Sequence, residues 1–341
     1  MEIKVKKSLG QNFLTDKNII KSIVDIGFIT DNDVILEVGP GTGNLTEFIF
    51  KKNPKQIYAI EKDYNLVNFL NEKFEEKIKI INEDILNFKI NNISNEKFII
   101  YGNLPYNIST QILTQWIVDQ QQFGSIKKLI LMFQKEVANR IIAKINSKNY
   151  GRLSIISNWK LNIKKEFDIN PKSFFPKPKV DSTLLSFVPR KDFFHIKKPA
   201  NLEKITRIFF NQRRKMIKNP LRQIFKDPDQ IAEKLKLNIN LRPQNLSPKN
   251  YFDITTEYEK LNIVPLEVRI RNIIGKVIAP SECSGIDREI QDIMNNGEVN
   301  KAILQYERND NIFNWGRSGE VGADYIINYC LENNSSRKLN N

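Results

Sequence analysis

The sequence predicts an α/β fold, a doubly wound parallel sheet followed by a small C-terminal helical domain. Three observations carry that expectation. Short β-branched runs alternate with segments of helical periodicity through about residue 133. The first of these, Val34-Ile35-Leu36-Glu37-Val38, passes into Gly39-Pro40-Gly41-Thr42-Gly43 and then into a helical pattern, which is how a doubly wound sheet opens. From Asn201 onward the pattern turns helical, with Arg213, Arg214, Lys215 and Lys218 clustering behind an apolar face.

In chain order, a basic entry segment (Lys6-Lys7-Ser8-Leu9-Gly10-Gln11) leads to Thr15 and Asp16, either of which can cap a helix over 17–26 whose stripe is Ile19, Ile20, Ile23 and Val24. After the glycine turn, Leu45, Phe48 and Ile49 continue at helical spacing. A strand over 56–60 ends at Glu61, a helix covers 64–74, and a strand over 78–81 ends at Asn82-Glu83-Asp84. The run Phe98-Ile99-Ile100-Tyr101 then enters Gly102-Asn103-Leu104-Pro105-Tyr106, a strand emptying into a loop, and a helix follows over 109–118. Residues 128–133 form a fifth strand. Residues 154–159 with 164–169, and 182–188, read as two final strands that pair antiparallel. Residues 191–199 look like a linker, 213–218 belong to a basic helix, Leu235 and Leu237 mark a short helix, and 251–262 another. The expected domains are 1–194, 195–265 and an extension, 266–341, in which no chemistry is evident.

Composition narrows the function. At 341 residues and 40% hydrophobic, the chain can build a sizeable core in two or more domains. No apolar run of about 18 residues suggests a membrane span, and the N-terminus lacks a secretory core. Cys283 and Cys330 have no metal-type spacing and fit a reducing cytoplasm. His195 is the only histidine, which argues against Ser-His-Asp chemistry and multi-histidine metal sites. The net charge is +14; residues 1–265 carry 44 Lys and Arg against 28 Asp and Glu, and the extension 9 against 11. A basic body of this kind points to a polyanion, most simply a nucleic acid.

The strand ends supply the candidate site. Glycines at the start of a helix let backbone approach a ligand, and the spacing leaves NAD, FAD and S-adenosylmethionine open. Glu61, about 20 residues beyond the glycine turn, is placed to accept from ribose hydroxyls. Asp84 and Asn103 end the next strands, so the three polar residues line one crevice at the carboxyl edge.

Gln11-Asn12-Phe13-Leu14, Glu37 to Gly43, Glu61, Asp84 and Asn103-Leu104-Pro105-Tyr106 together resemble the ribosomal RNA adenine dimethyltransferases. Ser173-Phe174-Phe175-Pro176-Lys177-Pro178-Lys179-Val180-Asp181-Ser182 and Phe209-Phe210-Asn211-Gln212-Arg213-Arg214-Lys215 extend the likeness over roughly residues 5–262. The resemblance implies a Rossmann-like methyltransferase sheet, S-adenosylmethionine as methyl donor, and no metal. It further implies a cytoplasmic monomer that dimethylates N6 of two adjacent adenosines near the 3′ end of 16S rRNA in the immature small ribosomal subunit. A large-subunit rRNA methyltransferase and a catalytically silent assembly or transcription factor are the alternatives. By the same likeness Asn12, Leu14, Gly39, Glu61, Asp84 and Asn103 contact the donor, with Glu61 on its ribose and Asp84 on its adenine amine. Asn103, Leu104, Pro105 and Tyr106 form the catalytic loop. Tyr106 stacks on the target base with Phe175 as a second wall, and Arg213, Arg214 and Lys215 meet RNA phosphates.

Overall fold

The structure, a computed structural model, describes Lys6 and residues 10–261. A two-residue strand, β1 (Phe13–Leu14), precedes α1 (Lys17–Asp25), which Asp16 caps by accepting from the amides of Asn18 and Ile19. Then come β2 (Val34–Val38), α2 (Asn44–Phe50), β3 (Gln56–Glu61), α3 (Tyr64–Phe74), β4 (Lys79–Asn82) and β5 (Phe98–Gly102). After these follow α4 (Ser109–Val118), α5 (Gln120–Gly124), β6 (Ile126–Gln134), α6 (Lys135–Ile141), α7 (Arg152–Lys160), β7 (Leu161–Ile169), β8 (Phe174–Phe175) and β9 (Ser182–Pro189). The chain then turns helical in α8 (Pro199–Asn211), α9 (Lys218–Arg222), α10 (Pro228–Lys234) and α11 (Pro248–Lys260).

Among the described residues, one sheet runs in the order β4-β3-β2-β5-β6-β9-β7, with only β9 antiparallel to its neighbours. From β2 the chain steps outward to β3 and β4, then crosses back to β5 on the other side of β2, so the topological switch lies between β2 and β5. That is where a crevice opens at the carboxyl edge. Every residue of β2 and β5 is buried, as expected for central parallel strands covered on both faces. Val34, Leu36 and Val38 pack with α4, α7 and α8 on one side, whereas Ile35 packs with α1, α2 and α3 on the other.

Three local expectations are corrected. Residues 154–159 are helical, within α7, rather than a strand. Ser154, Ile155, Ile156, Ser157, Trp159 and Lys160 are all buried, because α4, α6 and α8 enclose the helix. A helix buried all round carries no 3.6-residue polarity, and its β-branched pair then imitates a strand. Residues 212–217 form a turn that follows α8, so Arg213, Arg214 and Lys215 are not on a helix. The short helix expected around Leu235 and Leu237 lies just before them, as α10, started by Pro228 and capped by Asp227.

The contacts place residues up to Glu259 in one compact unit. One apolar core joins the sheet to the later helices: Phe209 packs edge-on against Tyr251, and Phe194, in the 191–198 connection, lies 5.6 Å from Phe252. Residues 266–341, with both cysteines, lie outside the described residues.

Candidate active site

β1 and β8 build the lid side of the site. Phe13 pairs with Phe175 and Leu14 with Phe174, although more than 150 residues separate them in sequence. The Thr15 amide donates a hydrogen bond of 2.9 Å to the Ser173 carbonyl. The entry segment is also clipped to the start of α3, where Asp63 accepts from Lys6 Nζ (2.7 Å) and Gln11 Nε2 (3.2 Å). These bonds hold residues 10–14 above the ends of β2 and β3.

Below them is a cleft, open to solvent, lined by Asn12, Gly39, Glu61, Asp84, Asn103 and Tyr106 among others. The strand ends and the entry segment thus deliver most of the expected residues to one space. Gly39 has φ +69°, and a Cβ there would find nothing closer than the Asn103 carbonyl oxygen at 3.9 Å. The space over Gly39 is therefore free for a ligand. Gly41 differs: a Cβ on it would stand 2.7 Å from the Phe13 ring, so this glycine exists to seat the lid.

Glu61 is 8% exposed, and its carboxylate accepts from the amides of Gly41 (3.2 Å) and Asp63 (2.9 Å). Burial raises its pKa against those two bonds. Asp84 accepts from Lys62 Nζ at 2.8 Å and from the Leu86 amide, and the Lys62 bond holds its carboxyl below the usual range. Lys62 is mostly exposed and free to swing away when another donor arrives. Glu37, beneath the glycine turn, is 1% exposed with its Oε2 unpartnered among the described residues; burial, then the charge of Glu61, push it up to about 7.

The loop after β5 is the most tightly specified part. Asn103 Nδ2 donates to the Asn12 carbonyl at 2.6 Å, so its Oδ1 is left to accept, and no described donor reaches it. The Leu104 side chain is 1% exposed, which anchors the backbone there. The Pro105 carbonyl is taken by the amides of Ile108 and Ser109 at the start of α4, whereas no described donor takes the Leu104 carbonyl. Tyr106 is half-buried, and its hydroxyl lies 2.6 Å from Ser182 Oγ, a hydrogen bond that sets the ring's orientation. Burial raises the phenol's pKa and keeps it protonated. The stretch from Ser173 to Ser182 therefore touches the site twice, through Phe174 and Phe175 on the lid and through Ser182 on Tyr106.

Other expected residues lie elsewhere. Leu14 is buried and lines a smaller neighbouring cavity with Glu37, Gly39 and Asn103, its carbonyl accepting from Asn44 Nδ2 at 2.8 Å. Phe175 is 65% exposed on the outer side of the lid and does not line the cleft. Arg213 is held by the Lys148 carbonyl and Gln244, and Lys218 pairs with Asp229 at 3.0 Å. Arg214 and Lys215 are exposed without a described side-chain partner. Sequence reading missed Ser182, Lys62, Asp63 and Asn44. Only Ser182 had a visible signal, as the end of the Phe-Phe-Pro motif.

The residues fit an adenosine-bearing methyl donor: two strand-end acids, an open backbone over Gly39, and a loop presenting unused acceptors. No group of three His, Cys, Asp or Glu side chains that could hold a metal ion occurs among the described residues. The family model for ribosomal RNA adenine dimethylase matches residues 2–260. A ribosomal RNA small subunit methyltransferase A of Pelagibacter ubique is 56% identical over 261 residues, 76% of this chain and 99% of that protein. The protein of the same name from Ehrlichia ruminantium is 42% identical over 259 residues, covering 74% of this chain and 96% of its own. In fold, the chain is similar to a dimethyladenosine transferase from Plasmodium falciparum (TM-score 0.64, 24% identity, 74% of this chain and 98% of that one). It is also similar to a 23S rRNA methyltransferase (TM-score 0.55, 21% identity, 72% and 99%). With its sheet order, its lid and its Asn-Leu-Pro-Tyr loop in place, the chain belongs to the ribosomal RNA adenine dimethylase family.

Proposed function

We propose that this protein transfers methyl groups from S-adenosylmethionine to N6 of two adjacent adenosines near the 3′ end of 16S rRNA in the immature small ribosomal subunit. The observation that carries the reading is the Asn103 amide, locked by Asn12 so that Oδ1 and the neighbouring Leu104 carbonyl are both unclaimed acceptors. The relatives named for the small subunit favour this substrate over large-subunit RNA.

S-adenosylmethionine supplies an electrophilic methyl carried on a sulfonium. Glu61 would hold its ribose, Asp84 its adenine amine, and Gly39, Asn12 and Leu14 its methionine end. The protein's task at the other side is the nucleophile. An adenine N6 lone pair is delocalised into the ring and attacks poorly. Asn103 Oδ1 and the Leu104 carbonyl accept its two N–H bonds, letting the nitrogen pyramidalise while Pro105 keeps the loop stiff. Tyr106 stacks on the base and Phe175, at the lid's outer edge, borders its approach. The proton becomes acidic once nitrogen is alkylated, so no strong base is required; positioning and oriented dipoles do most of the work. The expected second domain, 195–265, would meet RNA phosphates through Arg214 and Lys215, with Arg213 holding the turn in place. The chain would act as a cytoplasmic monomer.

The test is transfer of tritiated methyl to unmethylated small subunits, mapped by primer extension. Two adjacent N6-dimethyladenosines near the 3′ end are expected. Label confined to large-subunit RNA would reject the substrate, and an absence of label would favour an assembly factor.

A further inference from the structure

Arg152 is a partly buried cation whose Nε finds no acceptor among the described residues. Its Nε is fully enclosed and has no hydrogen-bond partner among the described residues, and no described carboxylate forms an ion pair with its guanidinium. Burial, then the like charge of Arg207, pull it down from the usual arginine range, with Glu203 opposing. A desolvated guanidinium that feels the repulsion of a second one costs the free protein stability. Such a pair is made good by an anion with oxygens on two sides, which the planar forks of two arginines match.

The place of the pair indicates which anion. Because β9 is antiparallel to β6 and β7 antiparallel to β9, β7 runs parallel to β6, and α7 is the crossover that leads into it. α7 therefore starts at the carboxyl edge of the sheet and ends at the other, where Lys160 Nζ meets the Ile117 carbonyl near the end of α4 at 2.9 Å. Arg152 opens α7 at the same edge as the Asn103–Tyr106 loop. α8 packs on α7 and brings the Phe210 ring to 3.9 Å from a Cβ placed on Gly151. Arg207 is one turn before Phe210 and exposed, and α8 ends at the turn carrying Arg213, Arg214 and Lys215. Arg152 thus opens α7 at the edge that carries the catalytic loop, and Arg207 lies on the helix that runs into the basic turn.

We propose that Arg152 and Arg207 clamp a backbone phosphate of the RNA strand between the target-base loop and the turn at Arg213–Lys215. This rests on the rRNA reading above. The clamp positions the strand without reading its sequence.

The test uses Arg152→Gln and Arg207→Gln in the full chain. With unmethylated small subunits, each raises KM about tenfold with a far smaller change in kcat, and lowers the log–log salt slope of binding by about one. The dissociation constant for S-adenosylmethionine stays at the wild-type value. Arg152→Gln melts no lower than wild type, since it removes a partly buried charge that no described carboxylate pairs. A lower melting temperature with unchanged KM would make Arg152 a structural residue and overturn the clamp; an unchanged salt slope would overturn it too. If the wild-type protein methylates no small subunits, the rRNA reading fails separately. The clamp is then judged by direct binding of an unmethylated RNA hairpin: a wild-type-minus-variant difference in salt slope upholds it, and none overturns it.

Discussion

A single amide carries the proposed chemistry, so its removal is the most direct probe. Asn103→Ala deletes the acceptor for the target amine and also the bond to the Asn12 carbonyl. Loss of one preorganised dipole of this kind lowers turnover by about 10²–10³-fold or more, and the loosened lid weakens donor binding far less. The measurement is single-turnover methyl transfer alongside calorimetric titration of S-adenosylmethionine; near-normal turnover would sink the amine-polarising role. Glu37 makes a second prediction, about pH. Its pKa stands at about 7 in the folded protein and at about 4.3 in an unfolded chain. Between those values the folded state keeps a proton that the unfolded state has released, so stability falls as pH rises through that window, by at most about 1.4 kcal/mol per pH unit. Urea unfolding at successive pH values should show Glu37→Gln losing less stability than wild type across the window. Parallel curves would mean that Glu37 is not held protonated.

The elements differ in how far the sequence revealed them. Strands 34–38 and 98–102 were legible because a continuous apolar run ending in glycine or asparagine fits little besides a buried strand leaving the sheet, and α3 and α4 because their cores have polar backs. From those elements alone Glu61, Asp84 and Asn103 fall on one edge, which is why most of the cleft is legible in the sequence. The pairing of β1 with β8 could not. Two residues each, far apart in sequence, leave no periodicity to detect. Yet that ribbon roofs the site, and Gly41 is where it can be tested. Gly41→Ala would place a Cβ 2.7 Å from Phe13 on a backbone at φ +58°, a strain of about 1–3 kcal/mol. Because Phe13 is the flexible partner, the lid rather than the sheet should yield. Donor affinity is expected to drop by about tenfold or more while the melting temperature falls only modestly. The reverse pattern, a large loss of melting temperature with unchanged affinity, would show that Gly41 serves the sheet.

At the scale of the molecule, one core among the described residues runs from β2 through α4 and α7 to α8 and α11. All the proposed site residues lie among the described residues, as do Arg152, Arg207 and the basic turn. The excess positive charge is likewise confined to residues 1–265, the remainder carrying 9 Lys and Arg against 11 Asp and Glu. Counterion release on RNA binding scales with the phosphates neutralised, so the basic unit should set the salt dependence by itself. A chain ending at residue 265 is therefore expected to fold cooperatively, to transfer methyl groups to unmethylated small subunits within about threefold of the full chain's kcat/KM (about 0.7 kcal/mol, less than one neutral hydrogen bond), and to keep the same log–log salt slope. Thermal unfolding establishes the first point, and tritiated-methyl transfer with binding at several salt concentrations establishes the others. A soluble, folded truncation that fails to transfer methyl groups would assign residues 266–341 a part in substrate engagement, and a shallower salt slope would make that part electrostatic despite the acidic balance of the segment.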